Sequence, residues 1–250
     1  ISVNAGTLTI DHPDAAGQFT NTGTLDIASG HTFQVDGGAF NQQAGTIEGT
    51  GTLQLQNTTA TFTTDFSNAV TELVATNTVI NGPGQLTNAA GKTLTFVANV
   101  VNADLYNEGT LITKKSTSIN GEFVSQAGST VRIQGQDHPI FSNAILTFNS
   151  GFTNHGLIEL TDLAGQFIHT DSKLVVNNGT LTNASDGEIR TSVGNAGGAR
   201  TIEAEIDNQG TITVNRSVLI QKGSAEHVNS GTISVNAGTL TIDHPDAAGQ

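Results

Sequence analysis

The chain lacks several residue types, and each absence removes a class of protein. Its 250 residues include no cysteine, no methionine and no tryptophan. Without cysteine the protein cannot be a disulfide scaffold or use thiol chemistry. No run approaches the roughly 18 consecutive apolar residues that a membrane-spanning helix needs, so we expect no membrane insertion in this segment.

Positive charge is also scarce. Lys and Arg number 9 against 22 Asp and Glu, which gives a net charge of −13. A nucleic-acid partner would require clustered Lys and Arg to neutralise its phosphates, so the composition argues against one. Uncharged Thr, Asn, Ser and Gly take the place of charged residues. Thr suits β-strands, while Asn and Gly accept turn conformations, so the composition favours short strands over helices.

The strongest signal in the sequence is a perfect repeat. Residues 1–18 return unchanged as residues 233–250, an offset of 232 positions. We expect residues 1–232 to form one unit of a tandem array and residues 233–250 to begin the next identical unit. The array is expected to be one continuous solenoid without separate globular domains. The first partners of this chain are then neighbouring identical repeats in a longer protein.

A shorter motif recurs inside the unit: an apolar residue, any residue, Asn, any residue, Gly, then Thr or Leu, then Leu or Ile. Complete copies are Phe19–Leu25, Leu105–Leu111, Phe152–Ile158 and Ile206–Ile212. Altered copies occur at residues 4–8, 43–47, 178–181 and 229–233. Many neighbouring motif glycines, such as Gly210 and Gly231, lie about 21 to 23 residues apart. Periods in the twenties are typical of solenoids, in which each rung buries its apolar face against the next.

Strands with one buried face follow the motif glycines. Apolar and polar residues alternate at residues 24–27 and 211–214, and a period of two places all the apolar side chains on one side. We therefore predict an all-β fold, a parallel β-helix or β-solenoid with rungs of about 20–23 residues. About eleven rungs per unit, spaced roughly 4.8 Å apart, give a rise on the order of 50 Å. The alternative is a pair of antiparallel sandwiches, which usually lack a recurring corner motif.

The Asn and Gly of the motif are the candidate site residues, and a structural role explains them best. Stacked at a corner, each Asn amide can donate to one neighbouring rung and accept from the other, which pairs polar groups that would otherwise be buried alone. We predict a structural corner ladder that contains Asn21, Gly23, Asn107, Gly109, Asn154, Gly156, Asn208, Gly210, Asn229 and Gly231.

Catalytic and metal-binding patterns are weak. The sequence offers no paired carboxylates and no metal-ligand spacing of its His residues, so we expect neither an enzyme nor a resident cofactor. A calcium site at the turn Asp11–Asp14 stays open, whereas its partial echo Asp137–Pro139 fits an ordinary turn. Paired outward threonines such as Thr211 and Thr213 occur on ice-binding solenoids, but acidic residues interrupt the row here.

The repeated Asn-x-Gly corners followed by alternating strands, as at 21–27 and 208–214, resemble the β-helical shafts of bacterial filamentous-haemagglutinin-type and autotransporter adhesins. The resemblance covers nearly the whole chain, but its motif is short, so it indicates architecture more firmly than function. It implies a protein of the bacterial cell surface or extracellular space. No binding residue of that group can be assigned to a position here.

The sequence and this resemblance together imply a structural role. We expect part of a long extracellular fibre or surface filament, such as a stalk, a coat or a biofilm-matrix scaffold, in which other copies of the fibre are further partners. An adhesin that binds a glycan or protein receptor along one solenoid face is the alternative. A polysaccharide-degrading β-helix enzyme is less well supported, because the chain lacks clustered carboxylates and its few arginines are far apart.

The repeat also predicts sequence beyond the chain. Because Gln18 is followed by Phe-Thr-Asn-Thr-Gly, we expect the same five residues after Gln250. Sequencing the parent gene downstream of this position checks the expectation, and an unrelated sequence there would contradict the tandem array.

Overall fold

A computed structural model describes residues 1–14, 16–136, 142–163, 170–195 and 198–244. Across these residues every ladder between strands is parallel, and one isolated antiparallel bridge joins Gln136 and Ser142. No helix that could span a membrane occurs in the described ranges. The prediction of an all-β parallel solenoid is confirmed.

Each turn of the solenoid has three faces. Face 1 is one sheet of eleven strands stacked in chain order, so the described residues make about eleven turns. Its strands are Thr7–Asp11, Thr32–Asp36, Thr52–Gln56, Glu72–Thr76, Thr93–Val97, Thr110–Lys114, Thr130–Gly135, Leu157–Asp162, Glu188–Thr191, Thr211–Val214 and Thr232–Val235.

Face 2 follows face 1 along the chain. It consists of Gln18–Asn21, Ala39–Gln42, Thr59–Phe62, Val79–Asn81, Val100–Val101, Ser116–Ile119, the first parts of Ala144–Asn154, Ser172–Asn183 and Arg200–Asn208, then Val218–Gln221 and Leu240–Asp243.

Face 3 closes each turn and leads back to face 1. It consists of Ser2–Val3, Thr24–Ile27, Thr46–Glu48, Phe66–Ser67, Leu86–Asn88, Leu105–Asn107, Phe123–Ser125, the second parts of the same three long strands, and Val228–Asn229. Its first three strands form a small sheet of their own, and the sheet restarts at Phe66–Ser67. The two rungs on either side of this break remain hydrogen-bonded next to it, since the Thr63 N–H donates to the Gln42 carbonyl at 2.9 Å.

Rung length varies more than the sequence period indicates. Most rungs agree with the predicted length, as from Thr32 to its partner Thr52. The shortest rung runs from Thr93 to its partner Thr110, and the longest runs from Leu157 to its partner Glu188. The strands on face 1 keep their register throughout, so the corners absorb the difference.

The core is a column of inward-facing side chains along the solenoid axis. Strands such as Thr32–Asp36 alternate, with Phe33 and Val35 fully buried between outward polar residues. Aromatic rings pack against one another from rung to rung. The ring centroids of Phe40 and Phe62 are 5.8 Å apart, and those of Phe123 and Phe148 are 4.7 Å apart. Each fully buried side chain of this size contributes roughly 1.5–3 kcal/mol, so stacking of rungs supplies the hydrophobic stabilisation.

Removal of one core ring is therefore costly. Phe40→Ala should lower the free energy of unfolding by about 3–5 kcal/mol, because the ring is fully buried and rigid strands cannot collapse onto the cavity. Val70→Ala is the control; Val70 is 55% exposed, and its truncation should change stability by less than about 0.5 kcal/mol. Urea unfolding followed by far-UV circular dichroism measures both, and equal effects would contradict the assignment of the core.

Candidate functional site: the corner ladders

A ladder of buried amides follows the corner between face 3 and face 1. Five asparagines of this ladder donate their Nδ2–H to the Oδ1 of the Asn in the next rung. The donor–acceptor distances are 2.8 Å for Asn68 to Asn88, 2.7 Å for Asn88 to Asn107, 2.9 Å for Asn154 to Asn183, 2.8 Å for Asn183 to Asn208 and 2.7 Å for Asn208 to Asn229. Ser125 takes the place of Asn in one rung, and its hydroxyl donates to the Oδ1 of Asn154 at 3.0 Å.

The ladder amides also satisfy backbone carbonyls where the next rung enters face 1. Asn107 donates to the carbonyl of Thr130 at 3.1 Å, and Asn183 donates to that of Thr211 at 3.1 Å. Both asparagines are completely buried, so water cannot replace these bonds. Buried polar groups without partners cost about 1–3 kcal/mol each, and the ladder removes that cost at every rung.

Two of the ten predicted ladder residues lie elsewhere. Asn21 and Gly23 sit at the corner between face 2 and face 3, where Asn21 donates to Gln42 at 2.8 Å and to the carbonyl of Thr46 at 3.2 Å. The other eight residues lie at the corner between face 3 and face 1. Among the described residues the buried amides therefore form two ladders of the same design, one at each of these corners, and the change of corner occurs between Gln42 and Asn68.

Five ladder members were missed in the sequence: Gln42, Asn68, Asn88, Ser125 and Asn183. Asn178 belongs to the altered motif at 178–181, but its side chain is exposed and donates to the carbonyl of Asn149. Asn183 fills the ladder position although Gly187, which closes its corner, follows four residues later rather than two. An apolar residue two positions before Asn or Ser identifies most ladder positions, because these two residues end the strand on face 3. The distance from the Asn or Ser to the following glycine varies.

Four of the five predicted ladder glycines, Gly109, Gly156, Gly210 and Gly231, are required by close approach of the rungs rather than by a left-handed backbone, whereas a Cβ on Gly23 would meet no atom within 4 Å. A Cβ on Gly109 would lie 2.4 Å from the carbonyl oxygen of Ala89, and one on Gly210 would lie 2.2 Å from that of Ala184. Real Cβ atoms do not come so near, so any side chain would force the rungs apart. Left-handed conformations occur at the corner between face 1 and face 2, where successive rungs use Asn57, Asn77, Ala98 and Lys115.

The corner between face 1 and face 2 lengthens over three consecutive rungs. Two residues separate Gln56 from Thr59, whereas residues 136–143, 163–171 and 192–199 separate the strands of these rungs, and residues 137–141, 164–169 and 196–197 among them lie outside the described ranges. Extra residues at one corner of successive rungs are commonly where solenoids bind partners, because loops vary without disturbing the stacked strands.

A buried ion pair anchors this lengthened corner. The guanidinium of Arg200 donates to the carboxylate of Asp162 at 2.5 Å, and both side chains are fully buried. Arg200 also donates to the carbonyl of Gly198 at 3.0 Å, while the Asp162 carboxylate accepts the Asn195 N–H at 2.8 Å. Removing one partner of such a pair costs about 3–5 kcal/mol, because the other charge is left buried and uncompensated. No sequence pattern indicated this pair.

Charges on face 1 near this corner stack with alternating sign. Arg132, Glu159 and Arg190 lie opposite one another in successive strands, and the Nε of Arg132 is 2.8 Å from the Glu159 carboxylate. Burial alone would raise the pKa of Glu159, but the hydrogen bonds from Ser192 and Arg132 outweigh it and hold this pKa below its ordinary value. The three stacked side chains carry a net charge of +1 at neutral pH, and Glu188, 2.6 Å from Arg190 on the same strand, balances it.

The candidate calcium turn Asp11–Asp14 lies within the described residues, whereas its second copy, residues 243–246, is described only as far as His244. The Asp14 carboxylate accepts the Gly17 N–H at 3.2 Å, and the His12 N–H donates to the carbonyl of Asp36 at 2.8 Å. No three His, Asp or Glu side chains converge in the described ranges. The related turn Asp137–Pro139 lies outside those ranges.

Comparisons with protein-family models, curated proteins and solved structures gave no match to this chain.

The buried ladder should be far more sensitive to mutation than an exposed one. Asn107→Ala leaves the Asn88 amide and the Thr130 carbonyl without their partners, and we expect a loss of roughly 1–3 kcal/mol of unfolding free energy. The matched control is Asn102→Ala, since Asn102 also stacks between asparagines, with its amide 2.8 Å from Asn81, but is exposed to water. Its replacement should cost less than about 0.5 kcal/mol. Comparable losses in chemical denaturation would mean that burial of the ladder is unimportant.

Proposed function

We propose that the chain is a segment of a long bacterial extracellular fibre, serving as a stalk, a coat or a biofilm-matrix scaffold built from tandem identical solenoid units. The carrying observation is the uninterrupted stacking of about eleven rungs, combined with a sequence that begins again at Ile233. A solenoid that repeats itself can extend without limit at constant cross-section. The resemblance of its corner motif to adhesin shafts supports the extracellular, bacterial setting.

The proposed mechanism is geometric. Each rung covers the strand edges of its neighbour, so the strand edges left open in the described residues are those at the two ends and at the break on face 3. The amide ladders add side-chain bonds along the same axis, which resist pulling and give a protease few loose segments to enter. A net charge of −13 keeps neighbouring rods apart in solution.

This role needs no catalysis and no resident cofactor. Its partners are the adjoining identical repeats and other copies of the fibre. A test for the enzyme alternative is release of reducing ends from acidic polysaccharides by the purified chain; turnover would overturn the scaffold role for this segment.

Adhesion is the second candidate, and the lengthened corner is the observation that favours it. Three successive rungs have eight or nine residues between their strands on face 1 and face 2, and the buried pair Arg200 and Asp162 lies at the strand ends beside two of these connections. A glycan or protein receptor would bind there rather than on the flat faces. A glycan array probed with the purified chain would support adhesion if specific ligands appeared and if their binding fell when this corner was shortened.

Electron micrographs of the native material test the fibre directly. Since rungs are spaced about 4.8 Å apart, a unit rises on the order of 50 Å, and we expect thin unbranched filaments with that axial repeat. Isolated globular particles, with no filament in the same preparation, would rule out the proposal.

A further inference from the structure

The two copies of the repeated sequence lie on different faces of the solenoid. In the first copy Ser2–Val3 belongs to face 3 and Thr7–Asp11 to face 1. In the second copy the equivalent strands have moved on by one face. Thr232–Val235 lies on face 1, paired with Thr211–Val214, and Leu240–Asp243 lies on face 2, paired with Val218–Gln221.

The unit therefore contains a fractional number of turns. Eleven strands on face 1 span ten turns from Thr7–Asp11 to Thr232–Val235. The strand equivalent to Thr7–Asp11 is one face further, at Leu240–Asp243. One unit thus advances ten and one third turns.

The last described rung has an uncovered apolar side. Val235 is 49% exposed and Ile242 is 45% exposed, whereas the equivalent Val3 is 4% exposed, because the next rung covers it. In the first copy Val3 pairs with Ile27, and Ile10 pairs with Val35. Identical residues in the second copy require the same cover.

We infer that the occupant of this end is the next copy of the same unit, joined in one solenoid and turned by a third of a turn. Its strand equivalent to Thr24–Ile27 would stack on Thr232–Val235 on face 1. Its strand equivalent to Thr32–Asp36 would stack on Leu240–Asp243 on face 2. In this register Ser234 pairs with Asp26 of the next unit.

The amide ladder supports this join with residues that lie outside the repeat. The ladder at the corner between face 3 and face 1 ends at Asn229, which precedes Gly231 and Thr232. A third of a turn carries Asn21 of the next unit from its own corner to this one, directly over Asn229, with Gly23 over Gly231 and Thr24 over Thr232. That register is the one the strand pairing gives independently. Asn229 then donates to the next Asn21, and the ladder crosses the junction unbroken.

The same offset explains why the ladder changes corner within the unit. Asn21 and Gln42 occupy the corner at which the preceding unit's ladder would arrive, and the move to the next corner follows between Gln42 and Asn68. Three units make 31 whole turns, so every fourth unit has the orientation of the first. The strand ends that flank the lengthened corner consequently face three directions in successive units, so a partner can approach them from any side.

Disulfide trapping in a chain extended to two consecutive units tests the join, since the native sequence has no cysteine. Ser234→Cys in the first unit, combined with Asp26→Cys in the second, should cross-link on mild oxidation, because paired strand residues meet the Cα separation of a disulfide. The Thr213→Cys and Ser234→Cys pair within one unit is the positive control, as these residues are already in register.

The opposing arrangement has its own pair. If units joined without rotation, Asp26 of the second unit would lie on face 3 and cross-link with Val228→Cys instead of Ser234→Cys. A Val228 cross-link, or none at all while the positive control forms, would overturn the inference. As a second measurement, electron cryomicroscopy of a longer array should give a rotation of one third of a turn per unit, added to any gradual twist of the stacked sheets, and a rise of about 50 Å.

The inference rests on the proposed function only in taking the chain to continue with a further copy. Cross-links without filaments in the native material would refute the fibre and keep the join. Filaments whose units share one orientation would refute the join and keep the fibre.

Discussion

Pairing with the neighbouring rung is the constraint on which the rest of the structure depends. In a parallel solenoid each strand lies over its counterpart, so residues at the same position of successive rungs form a column along the axis, as Thr32 and Thr52 do. Asn suits such a column because its amide both donates and accepts. A column of one charge would repel itself, which accounts for a charged fraction of only 12%. Arg132, Glu159 and Arg190 stack with alternating sign. Like charges stack at only a few described positions, such as Asp11 on Asp36 and Asp26 on Glu48.

The architecture could be predicted from the sequence because its signals are local. Alternation within residues 24–27 and 211–214 reports which side chains point inward, and the recurring corner reports the length of a turn. The corner assignment is not local. Asn21 and Asn107 share one motif yet lie at different corners, because a residue's corner depends on the number of strands that precede it. Between Gln42 and Asn68 the ladder position advances by one more face than in the other turns, so it moves to the next corner.

Other parts of the site depend on contacts that no short window contains. Asp162 and Arg200 are 38 positions apart and adjoin through two lengthened corners, so neither residue carries a pattern that indicates a buried pair. Asn183 lies in the ladder because it follows the buried Leu181 by two positions on the same strand. Asn178, which belongs to the recurring motif, is exposed because the register shifts between the long strands. Side-chain direction along the strand, rather than motif similarity, decided between them.

A fractional number of turns per unit also limits the functions that the proposed fibre can serve. Each rung makes its contacts with the rungs above and below it. These contacts do not depend on the direction in which a whole unit faces, so the rotation costs no stability. Such an array cannot present one chemically uniform flat face over many units, because each face passes to a new direction at every junction. Binding to an extended planar surface, as in ice binding, would instead require a whole number of turns. A rod of equal exposure on three sides fits a scaffold, on which the lengthened corners recur at regular intervals for partners arriving from any direction.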